Sequence, residues 1–293
     1  MTTGRRWYAP WLFCAPALFF AIAFFIVPFA NTLVLSFTDA TTLGGGVFTG
    51  LENYTRLLDD EAFWLSLRNT ALYTVVVVPL LVLLPLLLAM LVQKKIAGIG
   101  FFRAVYYSPV VASMVVVGLI WSWLLSSDGI VNSVLRGLHI VSEPLPFLTD
   151  STLLLFSAMA MTVWKGLGYY MVVYLAALAN VPRSLLEAAE VDGAGPVRRF
   201  WSVTVPTIRP TMVLVGTLAA IASGKVFAEI YTLSDGSAGP GGEARTLVYT
   251  IRETGLGLGG EAGYASAMSV FLFLATLGLS VAVTRLNTRE DKV

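Results

Sequence analysis

Residues 65–92 read LSLRNTALYTVVVVPLLVLLPLLLAMLV, and beyond Arg68 no Asp, Glu, Lys or Arg interrupts the run. A helix rises about 1.5 Å per residue, so crossing a hydrocarbon layer of about 30 Å takes about 20 apolar residues. The run meets that length and shows no apolar–polar alternation, which selects a helix over a strand. Its prolines, Pro79 and Pro85, are tolerable in a membrane helix because neighbouring groups take up the freed carbonyls. Five other stretches pass the same test, 11–37, 105–125, 152–179, 211–233 and 264–286. The expected architecture is an all-α polytopic membrane protein of six transmembrane helices, one domain over residues 1–293.

Composition excludes most other classes. Of 293 residues, 57% are hydrophobic and 13% charged, against about 25% charged in an ordinary soluble domain. Lys and Arg number 19 against 18 Asp and Glu, which leaves no electrostatic footprint for nucleic acid. Cys14 is the only cysteine and His139 the only histidine, so neither a disulfide scaffold nor a metal centre is expected. No catalytic residue and no cofactor site are read from the sequence.

Charge also sets an expected orientation. The N-terminus (Arg5, Arg6), the second loop (Lys94, Lys95, Arg103), the fourth loop (Arg183, Arg198, Arg199, Arg209) and the C-terminus (Arg285, Arg289, Lys292) hold twelve cations. The other loops hold five: Arg56, Arg68, Arg136, Arg245 and Arg252. The positive-inside rule then puts both termini in the cytoplasm, and Trp7, Tyr8, Trp64, Trp121 and Trp123 lie near span ends as an aromatic belt does. The first apolar stretch follows Arg5 and Arg6 but is too long for a signal h-region and has no A-x-A site after it, so it reads as a retained anchor.

The loop 180–210 differs from the rest. Ser184-Leu185-Leu186-Glu187 fits a capping box. Asp192-Gly193-Ala194-Gly195 breaks that helix, and Pro196 is placed to start a second one. In the second helix Val197, Phe200, Trp201 and Val205 share a face, with Arg198 and Arg199 off it. Pro206 is expected to stop this helix and Pro210 to open the fifth span. Two short amphipathic helices on a Gly turn need a surface for their apolar face. Spacing alone leaves the lipid interface, the protein's own helix ends and a partner open.

Glu187-Ala188-Ala189-x-x-Asp192-Gly193-Ala194, followed by Phe200, Val203, Val205-Pro206 and Pro210, closely resembles the "EAA" cytoplasmic loop of ABC importer permeases. Val203 and Val205 stand where that pattern has Ile and Leu. Pro28, Ser36-Phe37-Thr38, Gly50-Leu51-x-Asn53-Tyr54, Asn69-Thr70-x-x-Tyr73-Thr74, Trp164-Lys165 and Pro240-Gly241-Gly242 extend the likeness to the carbohydrate branch, the maltose- and glycerol-3-phosphate-type subunits. The resemblance implies that the loop docks on a cytoplasmic ATPase. Glu187 would contact the ATPase, Ala188 and Ala189 would belong to the docked helix, Asp192 and Gly193 would shape the turn, and Phe200 and Pro206 would support the second helix. It further implies a second, non-identical permease, two ATP-binding cassette ATPase subunits and an extracytoplasmic substrate-binding protein, in a bacterial inner membrane and in contact with its lipid. The implied function is one half of an ATP-driven import path for a disaccharide, oligosaccharide, glycerol-3-phosphate or glycerophosphodiester.

Intramembrane charge is costly and normally faces a cavity or partner. Lys165 falls mid-way along the fourth span with Tyr169 and Tyr170 one turn on. They read either as a substrate path or as structural hydrogen bonding. Lys225 and Glu229 stand at i and i+4 in the fifth span and read first as a structural pair along one helix face and second as further residues of the substrate path. Gly255-x-Gly257-x-x-Gly260 lacks a preceding strand and reads as a loop. Ser223-Gly224-Lys225-Val226 lacks the upstream glycine of a phosphate-binding loop, so ATP hydrolysis must reside elsewhere. The rival reading, an ion-coupled secondary transporter working without an ATPase, predicts intramembrane carboxylates and an internal repeat. Glu229 is the only carboxylate candidate, and no repeat is visible.

Overall fold

A computed structural model describes residues 9–94, 96–257 and 259–288. Arg5, Arg6, Trp7, Tyr8, Lys95, Arg289 and Lys292 lie outside them. Among the described residues all regular structure is helical, apart from two isolated bridges. Five helices are long and apolar enough to cross a membrane, or six if a bent pair counts as one span. Contacts divide the chain into two compact units, residues 1–60 with 251–273 and residues 61–250 with 274–293.

The first unit begins with α1 (Ala9–Ala21), a π-turn (Ile22–Ile26) and α2 (Val27–Leu35). The π-turn carries the Val27 N–H back to the Ile22 carbonyl, immediately before Pro28. Proline lacks an N–H and its ring crowds the carbonyl four residues back. Widening the preceding turn keeps the helix going past it. The segment after α2 is tied to α3 (Glu52–Asp59) by Asn53, whose Nδ2 donates to the Ser36 and Thr38 carbonyls at 3.0 and 2.8 Å. Arg56 bridges Glu261 at 2.8 Å and lies 4.0 Å over the Tyr264 ring. The Glu261 hydrogen bond raises the Arg56 pKa.

The second unit is built around α4 (Glu61–Val92), the long apolar helix read first from the sequence. It is followed by α5 (Ile99–Val111), α6 (Met114–Leu125), α7 (Ile130–Gly137), α8 (Ser151–Ala179), α9 (Arg183–Val191), α10 (Pro196–Arg199), a second π-turn (Phe200–Thr204), α11 (Val205–Gly224) and α12 (Ala228–Leu233). Then come α13 (Leu247–Gly255) and α14 (Ala262–Thr288), both of which cross between the units. Helix α4 packs on α8 and α11, α5 packs on α8, and α6 packs on α12. Tyr73, Val77 and Leu81 of α4 meet Leu154, Ala158, Met161 and Tyr174 of α8 in the core. Gly168 sets the α5–α8 approach: a Cβ there would overlap the Tyr106 carbonyl oxygen.

Several sequence expectations need correcting. The third span is not one helix over 105–125, because Ala112 is extended (φ −67°, ψ 140°) and separates α5 from α6. Ser113 caps α6 by accepting the Val116 N–H at 3.3 Å. The fifth span does not begin at 211, and Pro206 does not stop the preceding helix. Residues Pro196–Gly224 run as one apolar helix through the second π-turn, whose Val205 N–H bonds the Phe200 carbonyl just before Pro206. The same Val-Pro device thus appears twice. Nor does the fifth span reach 233 unbroken. Helix α11 ends at Gly224, Phe227 is non-helical (φ −149°, ψ −56°) and α12 starts at Ala228. Finally, Ser184 is not an N-cap. Helix α9 starts two residues earlier than that cap implies, at Arg183, with Pro182 as N-cap and no side-chain cap.

Candidate functional site

The loop 180–210 is a helical hairpin hung between α8 and α11, with α8 and α9 bent by 70° at the break. The Asp192-Gly193-Ala194 turn closes α9 by a two-bond lock. The Gly193 N–H bonds the Glu190 carbonyl at 3.0 Å and the Ala194 N–H bonds the Ala189 carbonyl at 2.9 Å. This pattern requires a left-handed residue at the second position after the last helical turn. Gly193 supplies it at φ 76°, where a Cβ would be strained. Asp192 sits at the C-cap, exposed, and Arg199 reaches back to Glu190 at 2.6 Å to brace the hairpin. Leu186, Phe200 and Val203 pack onto the core of the second unit, and the Phe200 and Trp201 rings meet edge-on at 5.1 Å. Pro206 follows in the first turn of α11 and is exposed.

What the hairpin leaves outward is apolar. Val191 is 88% exposed, Val197 72% and Trp201 63%, with Leu185 beside them at 48%. An apolar cluster of this kind needs a covering surface, the lipid interface or a protein. Glu187 and Ala188 are exposed on α9, and Glu187 makes no hydrogen bond or ion pair among the described residues. The hairpin therefore offers a carboxylate and an apolar face on one rigid piece.

The intramembrane polar residues assemble at a different place. Lys165 of α8 directs its ammonium at the break between α5 and α6. Nζ donates to the carbonyls of Pro109, Val110 and Ala112 at 3.0, 3.2 and 2.9 Å. The last carbonyls of a helix have no intrahelical partner and carry its negative dipole end, so a cation there satisfies both needs. The Glu229 carboxylate, in the first turn of α12, faces Thr162 and Lys165. Thr162 in turn hydrogen-bonds the Tyr73 hydroxyl at 2.6 Å, and that hydroxyl also donates to the Ala158 carbonyl at 3.0 Å. Hydrogen bonds thus link α4, α8 and the α5–α6 break into one network, with Glu229 of α12 beside it.

Lys225 does not join it. It stands exposed at the C-cap of α11, and the non-helical Phe227 removes the i, i+4 relation that the sequence implied with Glu229. Tyr170 is buried, whereas Tyr169 is 45% exposed, and their rings meet edge-on at 5.1 Å. Sequence reasoning missed the α5–α6 break because hydropathy stays high through it. Pro109 and Ser113 were the available signals. It also missed Asn132, fully buried in α7, which bonds the Ser126 and Leu145 carbonyls and accepts the Leu145 N–H.

Comparison with known proteins identifies this arrangement. The family described as "Binding-protein-dependent transport system inner membrane component" matches residues 68–292. The lactose transport system permease protein LacF of Rhizobium radiobacter is 34% identical over 274 residues, covering 92% of this chain and 91% of that protein. The sn-glycerol-3-phosphate transport system permease protein UgpA of Agrobacterium fabrum is 31% identical over 276 residues, 92% of each chain. Among solved structures, a bacterial ABC transporter involved in the import of the acidic polysaccharide alginate superposes with a TM-score of 0.82 at 23% identity, over 95% of this chain and 96% of that one. The last match shares the fold. The family and its relatives settle the rest: the chain belongs to the binding-protein-dependent transport system inner membrane components, and is a multi-pass permease subunit of an ABC importer rather than an enzyme.

Proposed function

We propose that the chain forms one half of the translocation path of an importer for a sugar or sugar derivative, working with a second, non-identical permease, two cytoplasmic ATPase subunits and an extracytoplasmic binding protein. The observation that carries the coupling part is the outward face of the 180–210 hairpin, where Val191, Val197 and Trp201 are largely exposed beside Glu187, which is unpaired among the described residues. Burying these side chains in a groove of the ATPase would supply the contact, at about 25 cal/mol per Å² of apolar surface. The Gly193 lock and the Glu190–Arg199 bridge make the hairpin stiff enough to transmit ATPase closure, and its second helix continues directly into α11. Motion at the ATPase thereby reaches a span without a flexible joint, as alternating access between two states requires.

The excess of Lys and Arg on the loop that carries the hairpin supports a cytoplasmic position for that loop and for both termini. Two relatives named above carry lactose and glycerol phosphate, so a polyhydroxylated solute fits this chain. The path would run beside α8, α11 and α12. The exposed Tyr169 would offer a stacking face backed by Tyr170, and Lys225 would be near the far end. Lys165 and Glu229 would shape this wall through the network they anchor.

Glu187→Lys tests the docking reading. The assembled complex should lose uptake and substrate-stimulated ATP hydrolysis while keeping its melting profile. Wild-type coupling in a folded Glu187→Lys complex would overturn it. Solute class is read from ATPase stimulation by the loaded binding protein, titrated with neutral sugars and glycerol phosphates in parallel.

A further inference from the structure

A cavity of about 640 Å³ opens where α4, α5, α8 and α9 meet, lined by Gln93, Lys94, Arg103, Leu178, Arg183 and Leu186 among others. Three of its lining residues are cations and none is acidic. None of the three cations makes an ion pair with a carboxylate among the described residues. Arg103 is held in place by donating to the Val92 carbonyl at 3.1 and 2.6 Å, while Lys94 and Arg183 line the cavity with exposed side chains. Uncompensated cations converging on one cavity of this size repel one another unless an anion sits among them.

The rest of the lining says which anion. Leu175, Leu178, Ala179 and Leu186 supply an apolar part of the lining beside the cationic rim. The rim itself lies where α4 and α8 end, at Val92 and Ala179. That is the depth at which hydrocarbon gives way to the headgroup layer. Basic pockets between helices at this level recognise anionic lipid headgroups. A soluble phosphate would use the rim and leave the apolar wall wet, whereas a phospholipid uses both.

We propose that this cavity binds an anionic phospholipid, its phosphate between Lys94, Arg103 and Arg183 and its glycerol and upper acyl segment along Leu175 and Leu178. Only the choice of leaflet, the cytoplasmic one, rests on the orientation proposed above. Because Arg183 and Leu186 belong to α9, the lipid would also support the first helix of the docking hairpin from the membrane side.

Native mass spectrometry of the intact complex, extracted from membranes and then titrated with phosphatidylglycerol or phosphatidylcholine, tests this without any transport readout. Wild type should hold phosphatidylglycerol in preference to phosphatidylcholine. Lys94→Gln/Arg183→Gln should bind it about thirtyfold more weakly, since each cation near the surface is worth about 1 kcal/mol. Lys94→Arg/Arg183→Lys, with charge kept, should restore binding and so separate lost contacts from a damaged fold. Displacement of the lipid by millimolar inorganic phosphate would make this a free-anion site and overturn the assignment. So would unchanged lipid retention in Lys94→Gln/Arg183→Gln. If that variant kept its lipid but lost its ATPase subunits, the cations would belong to the partner's interface, and the lipid proposal would fall while the docking reading stood.

Discussion

Replacing Lys165 by Met removes one ammonium and three hydrogen bonds while keeping most of the side-chain volume. The Pro109, Val110 and Ala112 carbonyls at the α5–α6 break then lose the donor at 2.9–3.2 Å. In water-soluble proteins a bond to a charged group contributes about 1.5–3 kcal/mol, which would total more than 4 kcal/mol. Measured interhelical bonds in membranes average only about 0.6 kcal/mol because the freed groups find other partners. Lys165 lies within a membrane-spanning helix, so the lower scale governs. Three such bonds give about 2 kcal/mol, or roughly thirtyfold in the unfolding equilibrium. Lys165 and Glu229 interact electrostatically without an ion pair among the described residues, so Lys165→Met/Glu229→Gln should recover at most a small part of the loss. The assay is denaturation of the purified permease complex in lipid discs, with uptake followed in parallel. An unfolding free energy equal to wild type, together with a raised KM for uptake, would show that the ammonium binds solute and that the break is held by other means.

Three further substitutions probe the scaffold. Gly193→Ala places a Cβ at φ 76° with open space around it, so the cost is backbone strain alone, about 1 kcal/mol, and should appear as faster proteolysis within 180–210 and weaker ATPase coupling at unchanged expression. Gly168→Ala sets its methyl against the Tyr106 carbonyl; separating α5 from α8 should destabilise the complex by about 1–3 kcal/mol in the same denaturation assay. Asn132→Ala deletes three part-buried hydrogen bonds, one to the Ser126 carbonyl before α7 and two to the Leu145 backbone after it. Stranding those backbone groups should cost about 1–3 kcal/mol and increase hydrogen exchange of residues 126–145, while the ATPase subunits still co-purify.

The sequence alone was enough to establish that this chain crosses a membrane in several helices, because a twenty-residue apolar run has no other stable solution in lipid. It was also enough for the helix–turn–helix of 180–210, whose Asp192, Gly193 and Pro196 act within a few residues of one another. Local chemistry of this sort leaves a local pattern. The Gly193 lock and the Pro196 helix start were therefore legible, although the helix start at Arg183 and the passage through Pro206 were not. Pro206 reads as a stop only if the preceding turn keeps its ordinary width, and the π-turn that accommodates it depends on how Phe200 and Val203 seat on the core. The breaks at Ala112 and at Lys225–Phe227 lie in apolar sequence that could equally have stayed helical. They persist because groups remote in the chain satisfy the backbone they expose: Lys165 reaches the Ala112 break across 53 residues, and Thr246 donates to the Val226 carbonyl. Hydropathy counts side chains one at a time. Whether a carbonyl inside the membrane has a partner is a question of distance, and only the packed helices answer it.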